Sequence, residues 1–590
     1  MPEYLAPGVY VEETSFRANS IEGVGTSTTA FVGPTRRGPV GERSELLTSL
    51  GDFERVYGGL QNLALSDVAA PALRTNFLAH AVRAYYDNGG RRLYVVRAAS
   101  GGAAAEAPLI SPVPAAEADR ITALARSPGA AGNGRLSFRQ TSRTAAPRTL
   151  DNAPDGSLVA VSTDGANPGD PPVVTRFRKV GAAWLDGGGT PLVVTPGIRA
   201  ELLGLSVEFS DADGFSQTFD ELGYGSAHPR YLGTVLAEAP ASRADALQNL
   251  VALRTGTGID TFELQAAIAA LPALPGDTEG RRFVTLAGGT DGAAPVAGAD
   301  TVAGTYSHAL AQLVGAEDVS IVAAPGSSAY ADAAAVQDAL ITHAERRRAY
   351  RIAVLDSLPL HTPDQVRTAR ARIDSRYAAL YYPWVVGANP LAVPGRDDIP
   401  REITLPPSGY VCGIYARNDT ERGVFKAPAN EVVRGALRFE TDINFPTQEM
   451  LNPLGVNCLR YIAGRGMRVW GARLASSNPE WKYVSDRRYF NFLEASIDRG
   501  TQWAVFEPNG ERLWTNIRQT IGDFLLNEWQ SGALLGSSVE QAFFVRCDRS
   551  TMTQNDLDNG RLVCLIGVAI IKPAEFVIFR IGQKTADARA

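Results

Sequence analysis

Two regimes of apolar and polar positions alternate along this chain. From Asn76 to Asn88 (NFLAHAVRAYYDN) the residues Phe77, Ala81, Ala84 and Tyr85 fall on one face of a helix. Gly89-Gly90 ends that helix, and Arg92–Arg97 (RLYVVR) reads as a buried strand, so the segment is an α/β connection. Thr28–Gly33 reads as an earlier short strand. The same rhythm returns from Phe283: strands are predicted at Phe283–Leu286, Val319–Ala323, Arg351–Leu355 and Ala379–Trp384. Helices are predicted between the later ones, at Ala331–Arg348 and Pro363–Ile373. Strands alternating with helices predict a parallel, right-handed sheet in a three-layer α/β core.

Between these stretches the pattern changes. Ser100–Ala118 is rich in Ala, Gly and Pro with little periodicity, as expected of a crossing between domains. Residues 119–275 carry short β-like runs, among them Leu136–Phe138 and Leu205–Phe209, with one minor helix near Phe262–Ala270. An inserted β-rich domain is predicted there. Near the end, Trp514, Ile517, Ile521, Phe524, Leu525 and Trp529 follow helical spacing.

Both ends read as strands. In Val9–Glu13, Val9, Val11 and Glu13 share one face and Tyr10 and Glu12 the other. After the uncharged run Leu562–Ile571 and a Lys572-Pro573 break, Phe576 and Ile578 share one face while Val577, Phe579 and Ile581 share the other. A strand apolar on both faces is the pattern of a central strand, which needs partners on both edges. Those partners belong either to its own domain or to a neighbouring subunit.

At 590 residues the chain is too long for one core, so two to four domains are expected. The formal net charge of -6 argues against a general nucleic-acid binder. No run reaches the roughly 18 consecutive apolar residues of a membrane span. Cys412, Cys458, Cys547 and Cys564 contain no C-x-x-C pair, and no histidine clusters with them, which suits a reducing compartment and gives no metal site. The start has none of the parts of a secretory signal. Synthesis and folding in a cytoplasm are therefore expected.

The candidate chemistry is thin. Gly288–Gly292 follows a strand but lacks the Gly-Lys-Ser/Thr that cradles phosphate. Gly25-Thr26-Ser27 precedes every histidine, leaving its serine without a base. Asp211-Ala212-Asp213-Gly214 has too few oxygen ligands for calcium and reads as a solvated turn. No catalytic residue, cofactor or metal is expected.

Several segments resemble the contractile tail sheath proteins of phages, tailocins and extracellular injection systems. They are Tyr4–Glu13 and Phe31–Pro39 near the start, and Gly288–Gly292 inside the chain. More specific are Pro406–Gly409, Arg487–Ile497, Gly500–Trp503, Val505–Asn509 and Lys572–Ile578, which occur in order over the second half. The resemblance implies a subtilisin-like α/β core (276–400), preceded by an α/β segment (21–99). It also implies an outward-facing β-rich insertion (100–275) and an α+β C-terminal inner domain (401–590). The N-terminal arm (1–20, with Val9, Tyr10 and Val11) and the C-terminal arm (Phe576, Val577, Ile578, Phe579 and Ile581) would be exchanged into neighbours' sheets. Its implied partners are further copies in stacked hexameric rings, an inner tube, and baseplate and terminal cap proteins, with no nucleic acid contact and no membrane insertion. The finished chain would be part of a phage tail or a released particle.

One charge feature bears on the tube. Arg460, Arg465, Arg468 and Arg473 lie between Leu451 and Pro479 with no acidic residue among them, while 401–590 carries 23 basic and 21 acidic residues and is near neutral. The arginines either face a tube of opposite charge or pair internally with Glu449, Glu480 or other carboxylates. Two rival readings stand beside the sheath: a degenerate subtilisin-like hydrolase, and a non-contractile virion or surface-array protein.

Overall fold

The computed structural model describes residues 20–68, 74–110, 121–163, 172–195, 198–256 and 259–579. The predicted strand at Val9–Glu13, with Val9, Tyr10 and Val11, lies outside the described residues, as does Ile581.

An eight-stranded sheet organises the chain. Its strands are β1 (Thr29–Gly33), β2 (Leu93–Arg97), β3 (Ile321–Ala323), β4 (Ile352–Asp356), β5 (Ala378–Tyr382), β6 (Glu431–Val432), β7 (Val456–Ile462) and β8 (Gly466–Val469). The order is β6-β8-β7-β5-β4-β3-β1-β2. From β2 to β7 every pairing is parallel, and β8 and β6 close one edge antiparallel. Starting at β2, the first five strands run in the order 2-1-3-4-5, one of the doubly wound arrangements.

Both faces are covered, which is why these strands are apolar without alternation. Phe31, Val95, Ile321, Val354 and Tyr381 pack into one core with helices α1 (Phe77–Asp87) and α2 (Pro407–Arg422). Ala30, Val32, Val322, Leu355 and Leu380 pack into the other, with the helices Tyr306–Ala311, Ala333–Ala344 and Pro363–Arg370. Asn76 caps α1: its side chain accepts from the Ala79 N–H. α1 and α2 approach closely because α2 carries Gly409 and Gly413 where they meet: a Cβ at Gly409 would stand 2.7 Å from the Ala81 Cα, and one at Gly413 would strike the Tyr85 carbonyl.

The chain leaves this sheet after β2 and returns to it at β3. In between, a seven-stranded sheet and a three-stranded sheet surround a separate apolar core that includes Phe138, Leu205, Val207 and Leu253. The strand Arg282–Thr285, predicted as the return of the α/β rhythm, pairs antiparallel with Arg135–Thr144 and so belongs to this second architecture. Its four residues cannot reveal in sequence which sheet will take them.

The Asp211–Gly214 turn corrects a second expectation in part: Ala212 and Gly214 are exposed, but both aspartates are paired. Asp213 pairs with Arg36 at 2.8 Å, and Asp211 pairs with Arg37, whose guanidinium also lies 4.5 Å from the Phe215 ring. Asp291, in the loop Gly288–Gly292, accepts from the backbone of Ala64 and Ala130 at 2.6 Å each and lies 3.4 Å from Arg36. That loop is a seam between the two architectures, held by a buried carboxylate that satisfies backbone donors.

The last part of the chain adds α3 (Val484–Gly500), α4 (Glu511–Gln530) and a two-stranded antiparallel sheet, Phe543–Arg546 with Leu565–Val568. Leu513, Trp514, Ile517, Ile521, Phe524 and Leu525 of α4 are buried in the core shared by these elements.

Candidate subunit interface

Residues 21–26 run along α3 from its C-terminal end, and Glu575 is held at its N-terminal end. At its C-terminal end Gly500 leaves room for Ile21, whose Cγ1 would stand 2.6 Å from a Cβ there. The Val24 N–H donates to Ser496 Oγ at 3.1 Å. Thr26 donates to Asp419 at 2.7 Å, and Arg488 grips the same carboxylate at 2.8 and 2.5 Å while donating to the Thr26 carbonyl. Arg488 and Asp419 are both 3% exposed, so this ion pair is fully desolvated.

At the N-terminal end of α3 stands Tyr483, the residue before its first turn. Its hydroxyl donates to Glu575 at 3.0 Å. Arg473 donates to both oxygens of Glu575, at 2.7 and 2.6 Å, and Asn452 adds a bond at 2.9 Å. Burial works against the Glu575 charge, but these donors hold its carboxyl down at about 2. Ile21 at Gly500 and Tyr483 beside Glu575 are separated by about 25 Å of helix, while Thr26 reaches back along it to Arg488 near its start.

Immediately after this clasp the character of the chain reverses. Phe576, Val577, Ile578 and Phe579 are 69%, 68%, 80% and 83% exposed and belong to no strand. Four consecutive large apolar side chains in water forgo about 1.5–3 kcal/mol each relative to burial. A groove of about 1140 Å³ lies beside this segment, lined by Phe425, Phe445, Trp470 and Ala472 on the body and by Ile571–Val577.

The sheet Phe543–Arg546/Leu565–Val568 is the complementary feature. No third strand pairs with either outer edge among the described residues, and Phe544, Leu565 and Ile566 are 48%, 51% and 37% exposed. A two-stranded sheet with apolar exposed residues is a template for further strands.

The four arginines do not form one surface. Arg473 is buried in the Glu575 clasp, an internal partner other than Glu449 or Glu480. The other three lie on the β7–β8 hairpin, where Arg460 stands opposite Arg468 and Arg465 sits in the turn. Arg460 donates to the Ile443 carbonyl and Gln448, Arg465 to Asn430, and Arg468 to the Arg465 and Asn430 carbonyls. Among the described residues no carboxylate pairs with these three.

The hydrolase rival finds no matching geometry. Among the described residues no histidine ring nitrogen bonds a serine hydroxyl or a carboxylate, and no group of three or more His, Cys, Asp or Glu side chains is placed to hold a metal. Asp356, buried at the end of β4, receives the Ser408 N–H and hydroxyl at 2.7 Å each. It therefore ties down the start of α2. Nor is any helix among the described residues long and apolar enough to cross a membrane.

Sequence reasoning did not single out Glu575, Arg488, Asp419, Arg36 or Arg37 as organising residues. Two charges set between apolar runs, Lys572 and Glu575 between Ile571 and Phe576, are the signal that was available.

Comparison with known proteins gives this architecture its class. The phage tail sheath protein central domain matches residues 299–473, and the phage tail sheath C-terminal domain matches residues 476–584. A protein described as a prophage major tail sheath protein, from Pseudomonas aeruginosa strain UCBPP-PA14, is 24% identical over 323 residues, covering 54% of this chain and 77% of that one. The tail sheath protein of Vibrio phage KVP40 is 23% identical over 188 residues, 31% of this chain and 27% of its own. The helical sheath of the anti-feeding prophage in its contracted state shares the fold, with a TM-score of 0.51 and 20% identity over 98% of this chain and 99% of that one. The mixed α/β fold with several sheets is thus a sheath fold. Over residues 299–473 and 476–584 the chain is similar to phage tail sheath proteins.

Proposed function

We propose that this chain is the sheath subunit of a contractile particle: it polymerises as stacked hexameric rings around an inner tube and shortens to drive that tube through a target envelope. The reading is carried by one observation, the exposed apolar run Phe576–Phe579 beginning directly after the Glu575 clasp. A clasped root followed by an apolar strand-like segment supports donation of that segment to a neighbour. We take the sheet Phe543–Arg546/Leu565–Val568 as the acceptor, since among the described residues no third strand pairs with it beyond the Leu534–Ile570 bridge. The arm that begins at residue 1, including Val9, Tyr10 and Val11, is the second donor. Ten extended residues reach about 33 Å, enough to cross between packed subunits.

Backbone pairing of exchanged strands survives rotation of the rigid bodies between them, so rings stay connected as the lattice shortens. Contraction is release of a metastable lattice into one with more extensive contacts and needs no nucleotide. Residues 100–275 face outward, and the hairpin arginines Arg460, Arg465 and Arg468 face the tube. Baseplate and terminal cap proteins bound the two ends. Assembly takes place in a bacterial cytoplasm, without nucleic acid contact or membrane insertion.

Electron microscopy of the chain co-expressed with its tube partner tests the reading. Long striated sheaths that shorten and widen after acid or urea shock are expected. Filaments of unchanged length would identify a non-contractile array instead.

A further inference from the structure

The open sheet sets two cysteines face to face. Its register runs Phe543↔Val568, Phe544↔Gly567, Val545↔Ile566 and Arg546↔Leu565. Carried one step further, it places Cys547 opposite Cys564. At the other end the Ala569 N–H donates to the Ala542 carbonyl at 2.8 Å, which makes Ala542↔Ala569 a hydrogen-bonded pair. Hydrogen-bonded and non-hydrogen-bonded pairs alternate along an antiparallel ladder, so Cys547↔Cys564 is of the second kind. Such pairs have Cα atoms about 4.5 Å apart and the closer side chains, within the range of roughly 4.4–6.8 Å that a disulfide spans.

Both side chains turn toward the core shared with α4. Cys547 is buried there and Cys564 half-buried, so Cys564 is the less enclosed of the two. Cys412 and Cys458 are buried in the two cores of the central sheet, one on each face.

We propose that Cys547 and Cys564 are a redox modification site that closes to an intramolecular disulfide when it meets a low-molecular-weight disulfide of the glutathione type. Cys564, as thiolate, attacks one sulfur of the small disulfide, forming a mixed disulfide and releasing one small thiolate. Cys547, as thiolate, then attacks the Cys564 sulfur and releases the second. The two protons of the protein thiols end on the two small thiols, and the two electrons reduce the small disulfide, so the exchange balances.

Burial pushes both thiols up, Cys564 to about 12, and its contact with Cys547 adds to the shift. Thiolate is scarce at neutral pH, so the pair closes slowly and only on long exposure to an oxidising medium. Closure ties the end of the sheet at the point where its strands separate. Any effect on strand acceptance rests on the proposed function; disulfide formation does not.

The test uses the full-length chain, incubated with oxidised glutathione without oxygen at about pH 8.5, near the ordinary thiol value. Free thiols counted after unfolding should fall from four to two. Peptide mapping without reductant should join the Cys547 and Cys564 peptides and leave Cys412 and Cys458 free. Cys547→Ser should stop at a stable glutathione adduct on Cys564. A wild-type chain that keeps glutathione on Cys564, keeps four thiols, or links through Cys412, Cys458 or a second subunit overturns the proposal. Sheath assembly is scored separately by microscopy, so its failure leaves the disulfide result intact.

Discussion

Arg473 holds Glu575 through two charge-assisted hydrogen bonds, Nε at 2.7 Å and Nη2 at 2.6 Å, across 102 residues of sequence. The pair marks where the folded body stops and the exposed apolar run starts.

That clasp has a defined pH window. The folded value of Glu575, about 2, lies below its unfolded value. Its stabilisation is therefore present above about pH 4.3 and lost as pH falls through the folded value. Glu575→Gln leaves Arg473 buried without its counter-charge and should cost ~3 kcal/mol at neutral pH, the low end for breaking a buried pair. In denaturant melts the gap between wild type and variant should hold down to about pH 5, narrow below about pH 4 and close as pH approaches about 2. A gap that does not change with pH would mean the charge is not what stabilises the root.

Asp356 should act in the opposite direction. Burial pushes its carboxyl up to about 7, although two bonds from Ser408 pull it down. The folded chain then binds more protons than the unfolded one between about pH 4 and that value, so this group's contribution falls as pH rises through the window. Asp356→Asn should flatten the decline in Tm between about pH 5 and pH 8. An unchanged profile would assign the decline to other groups.

Truncation can now be aimed. Deleting residues 576–590 spares the Glu575 clasp, and deleting residues 1–14 spares Ile21, Val24 and Thr26. Each should give a folded subunit that forms no connected sheath. Full-length extended sheaths from either, seen by electron microscopy, would rule out exchange of that arm.

Phe579 is 83% exposed in the single subunit. Phe579→Asp should therefore change subunit stability by no more than about 0.5 kcal/mol. In an exchanged strand the same carboxylate would be buried without a partner, at a cost of several kcal/mol per contact. Soluble, folded monomers with an unaltered circular dichroism melt are expected. An unfolded variant would place Phe579 in the subunit's own core.

Residues 119–275 should be dispensable for assembly, but not by simple excision. Removing them takes Asp213 from Arg36, which keeps Asp291, takes Asp211 from Arg37, and strips Arg282–Thr285 of its partner strand. A Gly/Ser-bridged deletion that also carries Arg36→Met and Arg37→Met should polymerise, and the bare deletion should be the less stable of the two. Loss of polymers in a soluble, well-folded double-substituted deletion would show that the insertion carries lattice contacts.

What the linear sequence determined is local or periodic. Helix spacing and the Gly89-Gly90 stop place α1 within a residue of its observed ends, and apolar runs place β1, β2, β4 and β5 nearly as well, because both signals act over a few residues. The apolar tail Phe576–Phe579 was legible for the same reason. Only the tertiary structure decided which sheet takes Arg282–Thr285, that Asp211 and Asp213 meet Arg36 and Arg37, and that Arg473 serves Glu575 instead of joining Arg460, Arg465 and Arg468. Each of these joins residues about a hundred or more positions apart. A charge's partner is set by which groups share a desolvated pocket once the chain has closed, and neither spacing nor composition carries that information.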